Sequence, residues 1–105
     1  MTRIPSPALP DLSDLPARLE RLRALGDISA RALSLLIGAS QNTVRRLENG
    51  ISMTPRGDVL VALAQALGTS VEFLANGGGE EPSAAHVRAA LANAGYRPVL
   101  RPGER

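Results

Sequence analysis

The 105-residue sequence contains no cysteine. That excludes a disulfide framework, a thiolate metal site and a cysteine nucleophile, and it fits a reducing compartment. There is one histidine, His86, which has no second histidine with which to build a metal cluster or a triad. No apolar run approaches the roughly 18 residues of a membrane span. The start, Met1-Thr2-Arg3-Ile4-Pro5, lacks the apolar block of a secretory signal. The expectation is a soluble, cytoplasmic protein with no membrane partner. Lysine is absent as well: all 12 cations are arginine, against 10 carboxylates, for a formal net charge of +2. The isoelectric point near 10.4 therefore reflects guanidinium groups that stay protonated until above about pH 12. A nucleic-acid partner would have to be attracted by where the charge sits, because the total is small.

What is present is helical patterning. The length suits one small domain plus tails, and a domain of about 60 residues buries only about 60% of its unfolded surface. Residues 1–15, with Pro5, Pro7 and Pro10, read as a flexible arm. A first helix opens at Pro16 and carries Leu19, Leu22 and Leu25 as far as Gly26. Ser29 caps a second helix through Leu33, Leu36 and Ile37, which stops at Gly38. Ser40 caps a third, Gln41 to Glu48, closed by Asn49-Gly50. A fourth helix covers roughly Asp58 to Leu67, and a short fifth follows Ser70. Gly77-Gly78-Gly79 lacks the Lys-Ser/Thr of a phosphate loop, so 77–82 reads as a linker. Ser83 then caps a sixth helical stretch from Ala84 to Ala94, and Tyr96-Arg97-Pro98-Val99-Leu100 is a candidate edge strand.

The stretch from Ser29 to Gly50 carries the chemistry. Two short helices joined through Gly38-Ala39-Ser40 must cross steeply, because so short a turn leaves no room for an antiparallel return. At about 100° per residue, Val44 and Leu47 define the buried side of the third helix. Asn42, Arg45, Arg46 and Asn49 then point outward, with Gln41 and Thr43 on the flanks. Asparagine and glutamine can pair bidentately with adenine and arginine with guanine, each worth roughly 1–3 kcal/mol of discrimination. The competing view is that any soluble helix shows polar residues to water. The conjunction of glycine turn, serine cap, polar face and Asn-Gly stop favours DNA reading.

Gly38-Ala39-Ser40-Gln41-Asn42-Thr43-Val44-Arg45-Arg46-Leu47-Glu48-Asn49-Gly50, followed by Leu63-Ala64-Gln65-Ala66-Leu67-Gly68-Thr69-Ser70, resembles the Cro/repressor-type (XRE-like) helix-turn-helix family. The lambdoid phage repressors are its best-known members. The resemblance covers 16–76 and implies an all-α, five-helix DNA-binding domain, here followed by a C-terminal helix and the candidate strand. By position, Gln41, Asn42 and Arg46 would read bases, joined by Arg45 from the same outward face. Thr43, Asn49 and Arg56, with Ser40 at the turn, would lie near phosphates. The family also implies an ion pair between Arg23 and Glu48 that fixes the third helix. The alternative there is two solvated charges worth about 0–1 kcal/mol.

The sequence departs from the family in several places. Ala30 stands where a phosphate-gripping glutamine is common, and Ser34 replaces a small alanine. Leu35 and Leu36 replace charged residues, which suggests either a partner surface or burial under the first helix or the C-terminal segment. The loop Ile51-Ser52-Met53-Thr54 is slightly long, which weakens the assignment of Arg56. Phe73 matches a core position, Tyr96 an anchor or interface, and Arg3 a minor-groove arm or a disordered one.

The expectation is a DNA-binding transcriptional regulator, a repressor acting as a homodimer on double-stranded DNA, with residues 83–105 contributing to dimerisation. The alternative is an antitoxin or adaptor whose partner is a protein, a toxin or a co-regulator. An enzyme finds no support: there is no nucleophile–base pair, metal spacing or cofactor loop, and no cofactor is implied.

Overall fold

The computed structural model of the chain describes residues 14–50 and 56–98. Six helices follow in order: α1 (Leu15–Gly26), α2 (Ala30–Leu36), α3 (Thr43–Glu48), α4 (Gly57–Leu67), α5 (Val71–Asn76) and α6 (Ala84–Asn93). The fold is all-α, and the described residues contain no strand. None of these helices is long and apolar enough to cross a membrane.

Local chemistry starts these helices where it can. The hydroxyls of Ser29, Ser70 and Ser83 each accept the backbone N–H three residues on, from Ala32, Phe73 and His86, at 3.0, 2.9 and 3.1 Å. These bonds satisfy donors that a helix start leaves without a partner. The apolar stripes then converge on one core: Leu19 and Leu22 from α1, Leu33 from α2, Val44 and Leu47 from α3, Leu63 and Leu67 from α4, Phe73 and Leu74 from α5. Arg18 adds a polar tie from α1 to the end of α5, donating to the carbonyls of Leu74 and Ala75 at 3.0 and 2.8 Å.

α6 packs on α1 and α4, and its Val87 and Leu91 are fully buried. The approach is close because Gly26 has no side chain. A Cβ there would stand 2.6 Å from Leu91 Cδ1 and 2.9 Å from Val87 Cγ1. The helix that the sequence set apart as an appendage thus closes the same core. The stretch leading into it is held to α1 by an ion pair between Arg21 and Glu81.

Some expectations shift. Leu15, assigned to the arm, is buried as the first residue of α1. Tyr96, Arg97 and Pro98 form no strand: Tyr96 N–H is turned back onto the carbonyl of Leu91, and Pro98 has no N–H to offer a ladder. Val99 and Leu100, residues 1–13 of the arm with Arg3, and the loop 51–54 lie outside the described residues.

Candidate nucleic-acid interface

α2 ends in a paired-bond glycine turn. Gly38 takes φ +78°, a left-handed conformation that costs glycine little. Its N–H bonds the carbonyl of Leu35 at 3.0 Å, and the Ala39 N–H bonds that of Ser34 at 2.9 Å. This is the Schellman arrangement, which satisfies the last carbonyls of a helix and turns the chain sharply.

The next helix begins later than the sequence suggests. Ser40 is not its cap; α3 starts at Thr43, with Asn42 as an N-cap that makes no side-chain bond. The Ser40 hydroxyl lies 2.9 Å from the Thr43 hydroxyl, and the Ser40 carbonyl accepts the Thr43 N–H at 3.0 Å. The capping bond comes from elsewhere: Ser34 Oγ accepts the Val44 N–H at 2.9 Å and donates to the Ala30 carbonyl at 2.8 Å. Ser34 is the only buried polar residue among those described. Nothing in the sequence announces this bridge, since a cap ten residues away leaves no local pattern.

The far end of α3 is held by Arg23. Its guanidinium donates to both carboxylate oxygens of Glu48, at 2.8 and 2.9 Å, and to the Ile28 carbonyl at 3.0 Å. The bond to Glu48 raises the Arg23 pKa from its ordinary value, against the opposing effect of burial.

With Val44 and Leu47 buried, the rest of α3 faces out. Gln41 and Asn42 on the entering turn, Arg45 and Arg46 on the helix, and Ser40 and Asn49 at its ends are all exposed; Thr43 is half-buried. Arg56 is exposed beside Asp58, 3.4 Å away. No carboxylate occurs between Ile28 and Leu47, and Glu48 is held by Arg23. Arg31, Arg45 and Arg46 are therefore exposed without an acidic partner among the described residues. Glu72, Glu80 and Glu81 lie instead on α5 and the stretch after it. A modest net charge is thus sorted so that α2 and α3 present only cations. Ala30 is buried, whereas its neighbour Arg31, which the family pattern does not single out, is exposed at the start of α2.

The two leucines of α2 part company. Leu35 remains 53% exposed. Leu36 packs against the core and, with Ile37, lines a groove bounded by Ala62 and Ala66 of α4 and Ala90 of α6.

Among known proteins, a family model described as helix-turn-helix matches residues 19–74, from within α1 to within α5. Neither the curated proteins nor the solved structures compared with the chain give a match.

Proposed function

The chain belongs to the helix-turn-helix family of DNA-binding regulators, and from that premise we propose that it is a sequence-specific repressor binding a palindromic operator as a homodimer. The carrying observation is the cation-only outer surface of α2 and α3. Arg45 and Arg46 offer planar forks that suit guanine edges, and Gln41 and Asn42 offer amides that suit adenine. Ser40, Thr43, Asn49 and Arg56 contact the backbone in this reading. Arg31 joins them, giving the start of α2 a cation where Ala30 cannot reach. Two copies would place their α3 helices about one DNA turn, roughly 34 Å, apart. If α6 takes part in dimerisation it does so through its outer side, because Val87 and Leu91 are engaged in this chain's own core.

A second reading, a protein partner such as a toxin or co-regulator, is supported by the exposure of Leu35 beside the groove of Leu36 and Ile37. The two separate by salt: binding through phosphates weakens steeply as salt rises, and an apolar contact does not.

Selection of bound sequences from random duplex DNA tests the first reading. Enrichment of a palindrome is the expected result. Recovery of the input pool, unenriched, rejects it.

A further inference from the structure

We infer that Ser34 is a positioning residue for base recognition: its hydroxyl sets the roll of α3, and with it the direction of Arg45 and Arg46. The inference rests on the DNA-reading proposal above.

α3 has six residues, too few to hold a helix by propensity alone. Its orientation must come from what grips it. Val44 and Leu47 supply apolar contacts, which are non-directional and leave rotation about the helix axis loosely defined. Hydrogen bonds are directional, and α3 has such anchors at both ends. Arg23 holds Glu48 at the last residue, and Ser34 holds the Val44 N–H near the first.

The Ser34 anchor has no substitute. Ser34 and Val44 are both 0% exposed, so solvent water does not reach the bond, and Asn42 makes no side-chain cap. The Ser34 hydroxyl is itself aimed: its proton goes to the Ala30 carbonyl, which directs a lone pair at Val44. The Ser34 carbonyl meanwhile takes the Ala39 N–H. One residue thus ends α2, fixes the turn and seats α3. With side chains an α-helix has a radius of about 5–6 Å, so a roll of about 15° moves its surface by roughly 1.5 Å. That exceeds the tolerance of about 0.5 Å that a binding constellation allows.

The test compares Ser34→Ala, Ser34→Cys and Ser34→Thr with Val87→Ala, a core change in α6 that leaves α3 untouched. Two quantities are read on folded protein: the affinity ratio between the selected duplex and an unrelated one, and the hydrogen exchange of the Val44 amide. Ser34→Ala is expected to lower the ratio about tenfold, leave affinity for the unrelated duplex within about twofold, and speed Val44 exchange. Ser34→Cys, a weak acceptor, should fall between, and Ser34→Thr, which keeps the hydroxyl, should restore the ratio. Val87→Ala should lower the melting temperature with the ratio intact.

An unchanged ratio in Ser34→Ala, or an equal loss in Val87→Ala, overturns the role of Ser34 while leaving DNA reading in place. A wild-type protein with no sequence preference overturns DNA reading itself. If neither Ser34→Ala nor Ser34→Cys folds, Ser34 is a folding determinant and the proposal falls.

Discussion

Arg23 of α1 and Glu48 at the end of α3 face each other through two parallel hydrogen bonds, 2.8 and 2.9 Å long, across 25 residues of sequence. The remaining arm of the guanidinium reaches the carbonyl of Ile28, so one side chain ties α1, the turn before α2 and α3. The side chains are only 22% and 11% exposed, which sets this pair apart from a solvated one. Fork-shaped pairing of this kind is both stronger and more directional than a single contact. Glu48→Ala would strand a half-buried cation and is expected to cost about 2 kcal/mol. The check is the denaturant midpoint. A loss under about 0.5 kcal/mol would put the pair among ordinary surface charges.

Two arginines should fail differently. In the proposed reading Arg46 meets a base edge, so Arg46→Ala should cost about 1–3 kcal/mol on the preferred duplex and relax preference at one base position. Arg31, exposed at the start of α2, is a phosphate contact in the same reading, and Arg31→Ala would remove it. It should weaken binding evenly across sequences and reduce the slope of log affinity against log salt by about 1. Affinities on matched and mismatched duplexes over a salt series measure both. Equal behaviour of the two variants would rule out this division of labour.

These contrasts also mark how far sequence reasoning reaches. The caps at Ser29, Ser70 and Ser83 were legible because each hydroxyl acts three residues away on its own helix. Glycine at position 38 announced the turn for the same local reason. The start of α3 was misplaced because its cap comes from Ser34, and because Ser40, which had the expected spacing, bonds Thr43 through its hydroxyl. α6 looked separate because Gly77-Gly78-Gly79 and two glutamates interrupt the pattern. Nothing local says that Gly26 offers Val87 and Leu91 a place to lie. The outward side chains of α3 were readable from helical period alone; the sorting of charge needed the folded positions of Glu48 and Glu81.

The pair between Arg21 and Glu81 carries a pH prediction. Both groups are exposed, so its worth to stability is small, yet the hydrogen bond from Arg21 lowers the Glu81 pKa. A lowered folded-state pKa means that the interaction is present above the unfolded value and lost as pH falls through the folded one. Following the Glu81 carboxyl by NMR should give a midpoint below that of an ordinary glutamate. Arg21→Ala should return it toward that value, and no change would mean the pair does not persist in solution.

The seat of α6 on Gly26 gives the sharpest packing test. A methyl at that position would meet Leu91 Cδ1 at 2.6 Å and Val87 Cγ1 at 2.9 Å, inside normal contact, with both partners fully buried. Gly26→Ala should therefore destabilise by about 1–3 kcal/mol through overpacking, although alanine is ordinarily the better helix former by about 1 kcal/mol. Leu91→Ala alone should cost about 2–5 kcal/mol, but combined with Gly26→Ala it also removes the nearer of the two clashes. The double variant would then be less destabilised than the sum of the single ones, the mark of two residues in contact. Strict additivity in thermal unfolding would mean that α6 does not rest on Gly26.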